Sequence, residues 1–439
     1  MRTQICHGRV IAGIVGCTAL VLAVTGTGAA QAHGRDLARQ VLPAGDGWAA
    51  EGTGTTGGAA AAPDRVHTVT TWDGFRAALA QDGTAPRIIK IKGTLDADGA
   101  TCDDFAVDGY DFDQYLADYD PAVWGRDTDL EEQKQTPGTQ EYLRNLSAAR
   151  QAAAIKADVP ANTTIIGVGK NPGIVGGSLQ IGGVDNVIVR GLTLESPLDC
   201  FPQWDPTDTA DGNWNSEYDS AVVNGSTHVW IDHNTFTDGA HPDSTLPSYY
   251  GRIFQQHDGE LDVVKGADHV TASWNVFADH DKTILVGNSD NAATTAIDRG
   301  HLKVTFHHNL FRNLVERAPR VRFGQVDSYN NHFVGDSDFS YSFGVGKESQ
   351  IVAEHNAFTL AAGVSPAKIL KKWSEAPITA DGNLVNGKPV DLVAVHNAEI
   401  PEETLASGAG WTPVLRGHVD PAKVVPRVVS GGAGAQALR

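Results

Sequence analysis

Three arginines crowd into the decapeptide ERAPRVRFGQ, Glu316–Gln325: Arg317, Arg320 and Arg322, with Pro319 between the first two. A guanidinium is a planar, permanently charged donor that can grip a carboxylate through two parallel hydrogen bonds. In an extended strand Arg320 and Arg322 would share one face and Arg317 would point to the other. Pro319 can interrupt that alternation, so that Arg317 and Arg322 reach one cleft while Arg320 pairs with one of the chain's many acids. The opposite charge gathers in HDGELD, where Asp258 and Asp262 flank a glycine turn, and in EYDS, which offers Asp219. Carboxylates collected from neighbouring turns make a hard oxygen site of the kind that suits calcium; the alternative is a set of solvated acidic turns. In ADHDKTILVG, Lys282 follows Asp279, His280 and Asp281, which on spacing alone is equally a surface turn with weak local ion pairs. His257, His307 and His308 show no recurring ligand spacing and read as packed or turn residues.

These cations matter because the chain is acidic, with a formal charge of −19 over 439 residues. Such a surface is a poor partner for nucleic acid. It can hold an acidic polymer only where side-chain cations, or a metal shared between carboxylates, screen the repulsion.

The elements that would position these residues are short β-prone runs after Pro160, each closed by Asn, Asp or Gly: NVIVRGLTLE, HVWIDHNTFTD, HVTASWNVFAD, KVTFHHNLFRN, QVDSYNNHFVG, IVAEHNAFTL. Most place Asn two residues before Phe, giving the series Asn234, Asn275, Asn309, Asn331 and Asn356. A repeat of this length is the signature of a solenoid. The units are too short and too β-branched for helical pairs. The expected fold is all-β, a right-handed parallel β-helix with long loops and a few short helices. Stacked Asn would satisfy the bends and stacked Phe would fill the interior.

Residues 1–32 combine a basic start, an apolar run too short to span a bilayer comfortably, and AQA before His33, the pattern of a secretory signal peptide. No other segment is apolar and long enough to cross a membrane. Its removal takes Arg2 and Arg9, moving the formal charge from −19 to −21, and leaves Cys102 and Cys200 of the four cysteines. In an exported chain these two are expected to form a disulfide, the alternative being two buried thiols. Residues 33–439 read as a single domain. It has a loose Gly/Ala/Thr-rich lead-in to about residue 62 and a helix near Trp72–Ala80 capped by Thr71 or Asp73. An acidic, partly helical excursion over 103–160 could alternatively be a small domain of its own.

The blocks HVWIDHNTFTDG, YYGRIFQQHDGELD, DHDKT and ERAPRVRFGQVDSYNNHF occur in this order, with FPQWDPTDTADGNWNSEYDS and WTPVLRG on either side. Together they resemble the secreted, calcium-dependent pectate lyases, from about Val41 onward. The resemblance implies calcium ligation by Asp219, Asp258 and Asp262, and substrate binding by Lys282 and Arg322. Arg317, first arginine of the Arg-x-Pro-x-x-Arg pattern, falls on the base of the reaction, while Asp232 and His233 fall on a structural motif away from the cleft. The implied activity is β-elimination of α-1,4-linked polygalacturonate to 4,5-unsaturated oligogalacturonides; the chain is expected to be secreted and, as a β-helix with covered ends, monomeric. A pectin lyase acting on methyl-esterified pectin and a non-catalytic polysaccharide-binding β-helix are the alternatives. The Asn-Thr-Asp and Arg-Ile-Lys signatures of polygalacturonases are missing. The loop over 286–301 matches none of the blocks and is expected to bear on outer subsites. With a reference pKa above ~12, Arg317 could act as a base only if calcium and neighbouring cations depressed that value, so activity is expected to rise toward alkaline pH.

Overall fold

The computed structural model describes residues 36–438 apart from 82, 98, 100 and 126–128; the expected signal segment, 1–32, lies outside the described residues. The β-prone runs stack as parallel strands in a coil with three rows of strands per turn. One turn, for example, runs through Leu261–Val264, Asp268–Ser273 and Val276–Lys282, and the next through Leu285–Val286, Lys303–His307 and Leu310–Glu316. Each strand pairs in register with its counterpart one turn later. Two rows are joined into an eighteen-stranded sheet by the long strands Arg87–Asp96 and Thr163–Val175, and the third row forms a separate sheet of eight. This is the expected parallel β-helix. Val, Ile, Leu and Phe at alternate positions of all three rows supply one continuous core.

The corner between the two joined rows shows how sequence dictates the coil. Residues His233, Trp274, His308, Asn330 and His355 all adopt a left-handed backbone, with φ between 51° and 56°, and each is followed by one of the predicted asparagines. Asn Oδ1 of one turn accepts the backbone N–H of the Asn one turn earlier, at 2.9 Å in the first four steps. Each Nδ2 donates at 2.9 Å to a carbonyl inside the corner. The ladder extends one step past the sequence reading, to Asn383, where Gly382 takes the left-handed position. Two residues on from each corner Asn, Phe236, Phe277, Phe311, Phe333 and Phe358 stack with centroids 4.6–5.2 Å apart and planes within 11°. A one-residue slip would move every Phe out of the core and every Asn out of the bend.

Two segments depart from expectation. The lead-in is not loose. The amides of Trp48 and Ala49 donate to the hydroxyls of Thr305 and Thr271, and the Gly57 and Gly58 amides are fixed by Asn186 and Thr164. Its glycines serve close approach, since a β-carbon on Gly58 would strike the Arg87 carbonyl. The 103–160 excursion is more helical than read. Besides Gln140–Ile155, capped by Thr139, it contains Cys102–Phe105, Phe112–Asp118 and Leu130–Gln135. A buried ion pair, Arg144–Glu141 at 2.9 Å, and the Arg144 donation to the Phe201 carbonyl fasten it to the loop leading to Asp219. The expected Cys102–Cys200 disulfide is present there. Among the described residues no helix is long and apolar enough to cross a membrane.

Candidate functional site

The eight-stranded sheet carries the site. In Leu261–Val264 the side chains of Leu261 and Val263 point into the core, so Asp262 faces outward. Asp258 stands in the turn before this strand, and Asp219 in the corresponding turn before Ala221–Asn224. The two strands pair in register, Val222 beside Asp262. Asp219 Oδ1 accepts the Gly259 N–H at 2.9 Å, and Asp262 Oδ1 accepts the Leu285 N–H at 3.0 Å. Gly259 lies between them. A β-carbon there would stand 2.6 Å from Asp262 Oδ1 and 2.8 Å from Asp219 Oδ1. The absent side chain thus leaves a cradle faced by two carboxylates. Burial, then the charges of Asp262 and Asp258, push the Asp219 carboxyl well above the carboxylate range. Burial and Asp258 raise Asp262 to about 7. Oxygen donors that repel one another across a cradle fit a hard divalent cation.

The cations come from the same turn as Asp262 and from those that follow. Lys282 ends Val276–Lys282 and sits beside Glu316 in register; its Nζ is 3.9 Å from Asp258 Oδ1. Arg317 follows Glu316 with φ 63°, a left-handed turn that ends the strand alternation, and its charge acts on Asp262. Its Nε donates to Glu316 Oε1 at 2.9 Å. Burial disfavours the Arg317 charge, but Glu316, Tyr341, Asp258 and Asp262 together hold its pKa above the ordinary arginine value. The sequence expectation of a depressed pKa is for the calcium-bound site; here the strand's own Glu316, 2.9 Å away, is the first of the groups that favour the charged form. Arg322 donates from Nη1 to the Gly287 carbonyl and pairs through Nε with Asp290, both at 2.9 Å. The unmatched loop therefore bears directly on a predicted substrate residue.

Arg320 differs from its expected pairing with an acid. Its guanidinium lies 3.9 Å over the Trp373 ring, and burial followed by the charges of Arg322 and Arg317 lowers its pKa to about 10. Asp232, in the eighteen-stranded sheet, is locked in a buried 2.6 Å pair with Arg190. Among the described residues, the one set of three acidic or histidine side chains whose candidate ligand atoms all lie within 4.8 Å of one another is Asp238, Asp243 and His257. Both His257 nitrogens face carbonyls, of Pro197 and His241, and Asp238 is bonded to His280 at 2.6 Å. His257 is thus fully occupied, whereas Asp238 Oδ2 and both Asp243 oxygens are buried without a hydrogen-bond partner among the described residues. His307 and His308 are buried and both lowered to about 4, as packed histidines are. Glu316 stood unnoticed among the arginines, Asp290 had no motif around it, and Gly259 read as a turn residue alone.

The fold is a parallel β-helix, and its likeness to known proteins places it among the polysaccharide lyases. A family model described as pectate lyase matches residues 10–118 and 136–403. The chain is 44% identical over 434 residues to a pectate lyase of Bacillus subtilis, covering 96% of this chain and 98% of that one. It is 39% identical to pectate lyase D of Dickeya chrysanthemi over 78% of each. Among solved structures, a thermostable pectate lyase superposes with a TM-score of 0.87 at 43% identity, covering 92% of this chain and all of that one. A pectate lyase bound to hexasaccharide does so with 0.85 at the same identity and coverage. The chain belongs to the pectate lyase family.

Proposed function

We propose that this chain is secreted and cleaves de-esterified polygalacturonate by calcium-dependent β-elimination, with Arg317 as the base. The observation that carries the reading is the convergence of Arg317 and Lys282, from adjacent turns, on the acids around Gly259. Asp219, Asp258 and Asp262 would hold calcium there, which when bound supplies charge withdrawal from the uronate carboxylate. Support comes from the glycine cradle and from the raised pKa values of Asp219 and Asp262, which mark negative charge in need of a counterion.

The chain's own groups do the rest. Lys282 and Arg322 hold the substrate carboxylate and offset the charge that develops as the C5 proton leaves; fixed charges so placed contribute several kcal/mol, about what an oxyanion donor supplies. Arg317 takes the C5 proton, the C5–H electron pair forms the C4=C5 double bond, and the C4–O bond breaks with its electrons departing on the leaving sugar oxygen. Because Arg317 must be neutral to accept a proton and its neighbours hold it charged, turnover rises with pH on the alkaline side. A neutral methyl-esterified polymer would have little use for this charge arrangement. The reading includes removal of residues 1–32, one domain over 33–439, no binding of nucleic acid or membrane by the mature chain, and a monomer.

The test is ultraviolet absorbance during incubation with polygalacturonate at alkaline pH, with calcium and then with excess chelator. A rising signal from the conjugated double bond, abolished by chelator, is the expected result. New reducing ends without absorbance would mean hydrolysis instead. Binding of the polymer with neither signal would leave a non-catalytic β-helix.

A further inference from the structure

The eight-stranded sheet continues for two rungs past the arginines, and its outward positions change character there. In register Arg320 stands beside Gly344, and Gly344 beside Lys371. Two residues further on in each chain segment are Arg322, Gly346 and Trp373. The chains stay in step, the Gly346 amide donating to the Val321 carbonyl and the Trp373 amide to the Val345 carbonyl, both at 2.9 Å. The intervening rung is thus glycine at both outward positions, and the arginines lie across it. A β-carbon on Gly344 would come within 2.9 Å of Arg320 Cγ, and one on Gly346 within 3.2 Å of Arg322 Cγ. Arg320 crosses this depression to stack on Trp373, and the Lys371 ammonium stands 5.8 Å from the same ring.

Two features set this group apart from ordinary packing. Trp373 is 46% exposed, although its indole would gain by burial. Arg320 has no carboxylate partner among the described residues, and its Nε is buried without an acceptor, whereas Lys371 and Lys372 are offset by Glu403 and Glu375. An open aromatic surface with an uncompensated guanidinium held over it suits a sugar acid. The C–H face of the pyranose can lie on the indole while the carboxylate meets the cation.

We infer that Trp373, Arg320 and Lys371 form an outer subsite at the C-terminal end of the cleft, which takes a uronate residue remote from the bond being cleaved. The inference rests on the polygalacturonate reading and deepens it. Four rungs separate Asp262 from Lys371, about 19 Å at the usual inter-strand spacing. Only oligomers that extend well past the reacting residue reach this subsite, so it sets chain-length preference rather than bond breaking.

The test compares Trp373→Ala, Trp373→Phe and Arg320→Gln with the unaltered chain on trigalacturonate and hexagalacturonate. Hexagalacturonate binding is also measured by calorimetry in an Arg317→Ala background, where cleavage does not interfere. Trp373→Ala is expected to raise KM for the hexamer about tenfold with little change in kcat, and to raise it far less for the trimer. Trp373→Phe should retain most of the affinity, and Arg320→Gln should follow Trp373→Ala. An unchanged hexamer KM, or an equal loss on both lengths, overturns the subsite. If the unaltered chain forms no unsaturated product, the lyase reading fails by itself. Calorimetry then decides the subsite: weaker hexamer binding by Trp373→Ala sustains it and unchanged binding ends it.

Discussion

Gly259 and Glu316 carry consequences that the charged residues around them do not. Replacing Gly259 by Ala puts a methyl between the Asp219 and Asp262 oxygens, 2.8 and 2.6 Å away. Its φ is not in the left-handed region, so the change adds crowding without backbone strain. Calcium affinity, read by calorimetry and by calcium titration of activity, should fall about 10- to 100-fold, as when the support of a metal ligand is disturbed. Unaltered affinity would remove the cradle from the argument. Glu316 acts on Arg317 through its charge, the strongest influence holding the guanidinium protonated after burial is set aside. Glu316→Gln removes that charge and lowers the Arg317 pKa, so the rising limb of the pH–rate profile should move to lower pH. A shift to higher pH, or none, would argue against Arg317 as the titrating base.

At the scale of the element, the corner ladder makes the coil cooperative, because each Asn serves the turn before it. Asn309→Ala takes the acceptor from the Asn275 amide, takes the donor from the Ala272 carbonyl and leaves Asn331 Oδ1 half used. All of these groups are buried, and leaving buried partners unmet costs about 1–3 kcal/mol each. A loss of about 2–4 kcal/mol in thermal or denaturant unfolding is expected, with a smaller loss for Asn383→Ala at the ladder's end; equal losses would show that the steps are not linked in this way. This ladder was the most legible part of the sequence, since Asn and Phe at a fixed offset encode one corner repeated, and the strands follow. Asp219, Asp258, Asp262, Lys282 and Arg317 could be named because they sit in contiguous motifs. Trp373 could not be placed beside Arg320, because nothing local in a chain reveals which residues become neighbours one or two turns apart. Nor did composition reveal that the glycines of the lead-in permit close packing, since the same residues in an open segment would read identically.

For the whole molecule, the acids that prepare the cleft oppose folding when no cation is present. Asp262 has a folded pKa of about 7 against an ordinary value of 3.8. Between those values the folded chain retains a proton that the unfolded chain has released, so this group's contribution to stability declines as pH rises through the window. Asp219 is raised in the same sense and extends the decline upward. His307 and His308, held near 4, run the other way below about pH 6.5, so the stability of the metal-free protein alone does not isolate the site. The difference between calcium-saturated and chelated protein does, because the histidine background is common to both. Calcium must displace the protons held by Asp219 and Asp262. The melting-temperature increment it produces should therefore be small near pH 5, grow steadily to above pH 7, and follow the ligand-linkage relation as calcium is raised. An increment that is flat or shrinks with pH would mean that calcium binds elsewhere, and the aspartates around Gly259 would lose their assignment as its ligands.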